Sequence, residues 1–558
     1  MYKRLTLSLA MLAVGAAMLA ASGIASTGSA HKQSASSGSL AKKGGILKAS
    51  LSQGIENIDP QRSYYVPESQ YEWLTQRPLL NFAHAQGARG YRLLNEGAKN
   101  YTVSRDGRTY TFHIRVGMQF SNGSPVTAAN YKHTLLRILN PDVGSPIASF
   151  LTDPSSVNIR GALAYNTTGK GSVSGIQTKG KYTLILKLMK GNALLPTLVA
   201  MIETGATPLS FPMKPIISPK SVVSAGAYYV SSYTPDRSIS IRRNKFYKPR
   251  GASPYPSNLN GIDYSLGIQQ DQALLLTKKG SLDWPADGLP PAAWGPLFAQ
   301  YGTKGRARAF ATSVVDYATM NTSKGVFSNL NARRAVEYGL NRKSIIKVRG
   351  PRAGFAQCSM LTPAIPGYKK CGLFPLNKQD LTKARSLAKG HTGHINYWYQ
   401  ASSVANTLIQ RLAASQLNAV GFTNIDTKAF QSGLFTALGK RGNDYDFAII
   451  GWQADFPDPY DYINKLLCGC TIQDVQNNNT AYFNNKTADS LMKKAAQLRG
   501  RNRFSTYGNL DLKIQKTWAP TAPIDNRNDR EFFSSRVDTR SVATSPVYEI
   551  DLGKLALK

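Results

Sequence analysis

Asp455 stands in the tract Gly451-Trp452-Gln453-Ala454-Asp455-Phe456-Pro457-Asp458-Pro459, behind a nearly continuous apolar run from Tyr445 to Trp452. Such a run reads as a strand buried on both faces, and the two prolines end it in a turn. A carboxylate placed there can project from a rigid strand end into a crevice. The plainer role is that of a turn or cap acid, for which Asp458 is the better placed of the two. Trp452 and Trp398, the latter within Tyr397-Trp398-Tyr399, could form flat walls for side chains or sugar faces, or could be core.

Bond-making chemistry finds no such support. The chain has no Gly-x-Ser-x-Gly elbow, Walker loop, dinucleotide-binding glycine fingerprint or His-Glu-x-x-His helix. His391 and His394 have an H-x-x-H spacing but lie in a glycine-rich turn, so neither a metal site nor a cofactor is expected. Four cysteines are compatible with an oxidising compartment and allow three pairings. Cys358 with Cys371 closes a short loop around a proline-rich turn and is the preferred bridge. Cys468 and Cys470 could bridge each other or bind metal with the two histidines.

These residues must be held by a large framework. At 558 residues the chain suggests two or three domains. Residues 1–30 carry Lys3-Arg4, an apolar stretch from Leu5 to Ala21 and small residues up to Ala30, which predicts an export signal cleaved near Ala30. Residues 31–44 form a Ser/Gly/Lys tract expected to act as a flexible linker. From Gly45 onward no run is apolar for long enough to span a bilayer.

The formal charge is +36, and without Lys3 and Arg4 it is +34. The 68 basic residues are dispersed and no nucleic-acid motif accompanies them, so a nucleic-acid partner is not expected. For an exported chain such charge suits an anionic membrane or cell-wall surface, or a solvated face without a specific partner.

Locally, Asp106-Gly107 predicts a tight turn, and Tyr110, Phe112, Ile114 and Val116 alternate as in a half-buried strand. Asn122-Gly123 predicts a second turn, and Thr127 an N-cap for a helix toward Leu139. Further helices are predicted near Asp271–Lys279, Ala332–Leu340, Leu381–Ala388 and Ser403–Val420. Strands dominate up to about Tyr247, and strands alternate with helices after Asn321. The fold class is therefore mixed α+β passing into α/β.

The ordered tract from Ser104 to Tyr131 resembles the signature region of the extracellular solute-binding proteins of ABC importers, in the dipeptide, oligopeptide and nickel group. Gly226-Ala-Tyr-Tyr-Val230, Ile239 to Tyr247, Asn321 to Ile346 (with Asn341 where the family usually has Asp), Leu361 to Gly367 and Gly451 to Pro459 are similar to further landmarks of that family, in the same order. The resemblance implies a two-lobed type II periplasmic-binding-protein fold with a ligand cleft at the hinge. The first lobe would hold residues 45–312 with an extra subdomain at about 86–200, the second lobe 313–521, and residues 522–558 would return to the first.

It also implies a peptide ligand delivered to permease and ATPase subunits by a monomeric protein without enzymatic activity, Asp455 pairing with the ligand's α-ammonium group. Gly451 and Gln453 would offer main-chain groups to the extended peptide. Tyr64 and Tyr65 match a loop facing the cleft, and Tyr317 lies at the hinge. Oligosaccharides or metal chelates are alternative cargoes, and a basic surface-retained sensor or adhesion protein is an alternative role. Leu19 to Gly23 looks like a lipoprotein box with Ser22 at the position of the acylated cysteine, so lipid anchoring is not expected.

Overall fold

The tract between Ser104 and Tyr131 folds as a turn, a strand, a second turn and a helix. Gly107 and Gly123 take φ of +68° and +84°, the left-handed conformation these turns require. The strand Thr109–Ile114 buries Tyr110, Phe112 and Ile114 on one face. Val116 lies beyond the strand end and is 60 % exposed, because the chain turns at Gly117 before the alternation can continue. The helix Ala128–Leu139 starts behind Thr127, whose amide donates to Asn130 Oδ1 at 2.9 Å.

The computed structural model describes residues 43–558 except 65, 155, 218, 250–254, 432 and 475–476. The export signal, Ser22 and nearly all of the linker therefore lie outside the described residues, as does Tyr65.

The three larger sheets among the described residues organise the fold. A five-stranded sheet runs in the order Trp284–Pro285, Ile46–Leu51, Gly261–Leu266, Ser238–Arg243, Tyr228–Thr234, with the first three parallel. An antiparallel four-stranded sheet, Ala98–Val103, Thr109–Ile114, Thr183–Lys187, Ile176–Lys179, packs with it in one apolar core. A six-stranded sheet has the order Gly354–Ala356, Thr521–Phe532, Ala307–Met320, Phe447–Trp452, Ile395–Gln400, Ile425–Phe430. Its last three strands are parallel to one another and are covered by the helices Leu330–Gly339, Leu381–Ala388 and Val404–Val420. Phe447–Trp452 is less enclosed than its apolar run predicts: Ile449 is half-buried and Gly451 exposed, since one edge loses its neighbour beyond Ala448.

Two long strands run between two apolar clusters. Ala307–Met320 pairs antiparallel with Thr521–Phe532 from Ala307↔Phe532 to Thr319↔Thr521, with a break between Ala311 and Val315. At one end Ala307 and Phe532 pack with Leu289, Trp294 and Leu297. At the other end Ala318, Met320, Ala522 and Ile524 enter the core of the helix-covered strands. After Phe532 the chain packs against segments from its first half: Asp551 meets His84 at 2.9 Å and Asn258 donates to the Lys554 carbonyl at 2.7 Å.

Cys358 is bonded to Cys371, and Cys468 to Cys470. His394 meets Asp426 at 2.9 Å. No helix among the described residues is long and apolar enough to cross a membrane.

The loop leading to Tyr64 hangs on one buried ion pair. Arg137 donates to Asp59 Oδ2 at 2.5 Å and to Gln61 Oε1 at 3.0 Å, and Asp59 also accepts from the amides of Gln61 and Ile216. Removing the guanidinium leaves a buried carboxylate with its cation gone. Arg137→Ala is expected to lower stability by about 3 kcal/mol, read as a reduced urea midpoint with an unchanged slope; a loss below about 1 kcal/mol would show that the loop does not depend on this pair.

Candidate functional site

The strands Ile46–Leu51, Ile395–Gln400 and Ile425–Phe430 end on a common crevice. Ser52 to Glu56 follow the first, Ser402 the second and Gln431 the third, and with Gln269 they line a cavity of about 460 Å³ between the lobes. The crevice beyond the carboxyl ends of parallel strands is where α/β sheets take ligands, because loops can vary there while the strand ends stay fixed. Phe447–Trp452 runs parallel to Ile395–Gln400, so its continuation to Asp455 leaves the sheet toward the same end.

Asp455 is half-buried, and its Oδ2 accepts from the Tyr64 hydroxyl at 2.5 Å. This bond joins residues 391 positions apart and bridges the two lobes. Gln453 makes a second bridge, its Nε2 donating to the Val547 carbonyl at 3.0 Å. Phe150 and Phe456 meet edge to face at 5.3 Å, and Lys465 Nζ donates to Ser149 Oγ at 2.5 Å. Segments far apart in the chain thus meet around Asp455.

Asp461, not among the residues expected at the site, fixes this strand end. Its Oδ2 accepts from the Asp455 amide at 2.9 Å and from Trp452 Nε1 at 3.1 Å. Asp461 lies in the first turn of the helix Tyr460–Leu467, behind Pro457 and Pro459, and that placement is the signal that could have found it. Asp458 takes the turn role, accepting from the Tyr460 amide at 2.8 Å and from Arg503 at 2.8 Å. Glu68 is the corresponding clamp on the opposite lobe: it accepts from the Glu56 amide at 2.6 Å and the Ser63 hydroxyl at 2.7 Å, tying the crevice loop to the helix Val66–Thr75.

Burial pushes the Asp455 carboxyl up to about 6, although the Tyr64 hydroxyl and Lys465 oppose the shift. Burial and then the charge of Asp455 push Asp461 well above the usual carboxylate range. Asp455 is therefore the member of the pair that ionises more readily, and its charge in turn disfavours a second one on Asp461. A half-buried anion with a phenol on one oxygen is suited to holding an ammonium group.

The remaining expected site residues fall in two groups. Trp452 joins Asp455 through Asp461 and packs on Phe435 at 5.8 Å. Trp398 lies at 5.1 Å from Phe430 and 5.8 Å from Tyr445, with Lys428 Nζ 4.5 Å above its ring. Tyr317 is buried within its sheet, opposite Ile450 and Pro523. Both are buried in packed interior.

Gly451 lies opposite Asp316 in the ladder. Asp316 accepts from Arg527 Nε at 3.0 Å and Arg349 Nη1 at 2.8 Å, and Arg349 also reaches Asp525 at 3.0 Å. Burial would raise Asp316, but Arg349 and Arg527 outweigh it and hold this carboxyl at about 2, whereas burial, only partly offset by Arg349, pushes Asp525 up to about 8.

The model of bacterial extracellular solute-binding proteins, family 5 (middle), matches residues 94–473. The chain belongs to this family. It is 23 % identical over 497 residues to the periplasmic oligopeptide-binding protein OppA of Haemophilus influenzae, covering 84 % of this chain and 86 % of that protein. Among solved structures it is similar to clavulanic acid biosynthesis oligopeptide binding protein 2, with a TM-score of 0.80 at 21 % identity, over 92 % of this chain and 96 % of that one. The Haemophilus influenzae OppA complex with the peptide RPPGFSPFR gives a TM-score of 0.74 at 20 % identity, over 92 % and 99 % of the two chains. The architecture of this family member is the two-lobed type II periplasmic-binding-protein fold.

A side chain at position 451 would press on the charge network beneath it, since an added Cβ falls 2.6 Å from Asp316 Oδ1 and 3.0 Å from Arg527 Nη2. Gly451→Ala is expected to destabilise the protein by about 1–3 kcal/mol in chemical denaturation; an unchanged midpoint would mean that the ion pair moves aside freely.

Proposed function

We propose that the protein is the extracytoplasmic solute-binding component of an ABC importer, that it binds peptides between its lobes, and that Asp455 holds the peptide's α-ammonium group. The observation that carries this reading is the Asp455–Tyr64 contact: a half-buried carboxylate just beyond the strand Phe447–Trp452 meets a phenol 391 positions away in the chain. A ligand that engages both lobes favours the closed arrangement by its differential affinity, and permease and ATPase subunits can sense that closure. The peptide-binding relatives support the choice of cargo.

The remaining parts of the proposal follow from the same frame. Residues 45–312 and the tail after 522 form the first lobe, with residues 86–200 as its extra subdomain, and 313–521 form the second. The break at Ala311–Val315 supports a hinge there. Residues 1–30 direct export, and Ser22 leaves either a soluble exported protein or retention by the chain's positive charge. Gly451 and Gln453 offer peptide groups to the ligand, while Trp452 and Tyr64 form walls; Tyr317 and Trp398 act through packing. The arrangement calls for binding and release without a chemical step.

Thermal shift on protein freed of carried-over ligand tests the reading, since binding the native state alone raises the melting temperature. Peptides with free amino termini are expected to raise it and their N-acetylated forms are not. A shift only with oligosaccharides or metal chelates would discard the peptide assignment. Asp455→Asn is expected to weaken free-amine peptides by about 2–5 kcal/mol in calorimetry, and unchanged affinity would remove Asp455 from the site.

The pH dependence has a definite sign. Asp455 ionises above about pH 6 in the unliganded protein, and a peptide ammonium stays charged to about pH 8. Affinity is therefore expected to be highest between these limits and to fall as pH drops below 6. Because the folded carboxyl titrates above the ordinary aspartate value, its charge opposes folding as pH rises from about 4 to 6. Asp455→Asn should then keep or raise the unliganded melting temperature at pH 7 while affinity is lost.

A further inference from the structure

The space beside Asp455 gathers more carboxyl groups than one ammonium ligand needs. Glu72 on the helix Val66–Thr75 and Glu203 in the turn Ile202–Thr204 are 2 % and 5 % exposed. Glu72 Oε2, Glu203 Oε2 and Asp461 Oδ1 are buried without a hydrogen-bond partner among the described residues. One loop reaches both sides of this group: Gln61 Nε2 donates to the Glu203 carbonyl at 3.2 Å, and Tyr64, three positions on, donates to Asp455. Tyr548 feels the charges of Glu203, Asp455 and Glu72 together, and Tyr64 feels those of Asp455, Asp461 and Glu203.

The surrounding charges do not balance this group. Those facing Glu72 are Glu68, Glu203 and Asp59. Glu68 is already bonded to the crevice loop and Asp59 to Arg137. The charge facing Glu203 is Asp455. Lys465, from the second lobe, faces Asp455, Asp461 and Asp153, and its ammonium is bonded to Ser149. In a chain with 68 basic and only 32 acidic side chains, this interior is lined with acceptors and acids against the general composition. Buried acceptors left unpaired are costly, and buried carboxyls avoid ionising until a cation arrives. Burial accordingly pushes Glu203 up to about 8 and Glu72 well above its usual range, which favours the protonated forms while no cation is paired with them.

We propose that Glu72 and Glu203 form a second cation subsite beside Asp455, so that the preferred ligand is a peptide whose amino-terminal residue carries a basic side chain. This rests on the peptide reading above and adds the identity of the first side chain. When that side chain enters, the carboxyls give up protons to solvent and pair with its positive charge.

Titration calorimetry at pH 7 with Lys-Ala-Ala and its uncharged analogue norleucine-Ala-Ala tests the proposal. The lysine peptide is expected to bind at least about tenfold more tightly, and Glu203→Gln or Glu72→Gln should bring the affinity ratio toward one. Repeating the wild-type titrations in buffers of different ionisation enthalpy counts protons, and the lysine peptide should release more of them. This measurement does not depend on the variants folding. Equal affinities, equal proton release or an unchanged ratio in both variants would overturn the subsite and leave the peptide reading intact. Binding of neither peptide would overturn both.

Discussion

The antiparallel pairing of Ala307–Met320 with Thr521–Phe532 is the constraint on which the molecule depends. Each strand begins in one apolar cluster and ends in another, so the ladder sets how those two clusters are placed. Its middle is locked by charge: Asp316 on one strand and Asp525 and Arg527 on the other meet around Arg349. An ion network buried at a crossing is worth little as net stabilisation, but it disfavours any register that would leave a charge alone. Glycine at 451 follows from it, because the neighbouring strand can pass over the network only without a side chain.

The candidate site inherits its rigidity from this ladder through short links. The Ala454 amide donates to Ser313 Oγ at 3.2 Å, the Tyr462 hydroxyl donates to the Ser313 carbonyl, and Asp461 holds the Asp455 amide and the Trp452 indole. On the opposite wall Glu68 and the Arg137–Asp59 pair hold the loop from Ser52 to Tyr64. The crevice is thus bounded by two stiff rims, each fixed by a buried acid, and the groups between them can answer to ligand charge.

Local signals carried much of the fold. The turn glycines, the Thr127 cap and the helices at Leu381–Ala388 and Val404–Val420 depend on neighbours within a few positions, and they were legible for that reason. Asn341 keeps the cap an aspartate would supply, its Oδ1 accepting from the Ser344 amide at 3.0 Å. The helix predicted from Ala332 starts earlier, at Leu330, because Asn329 accepts from the Asn331 amide at 2.8 Å. What escaped were roles made by distant partners. Nothing near Glu203 announces Tyr548, and nothing near Trp398 says that Phe430, Tyr445 and Lys428 enclose it. Asp455 was legible because a strand end and two prolines frame it; Asp461 was hidden inside the next helix.

The break between Ala311 and Val315 gives the crossing a particular elasticity. Here the ladder is interrupted, and side chains take over: Asn526 Nδ2 donates to the carbonyls of Thr312 and Val314 at 2.9 Å each, and the Thr312 hydroxyl donates to the Arg527 carbonyl at 2.7 Å. A side-chain amide can pivot and stretch while the paired strands on either side stay zipped. Bending is therefore confined to a few residues and acts like a leaf spring clamped at both ends. Since Ser313 lies at the centre of that spring and holds the turn carrying Asp455, flexing the joint and re-aiming the carboxylate are one mechanical event.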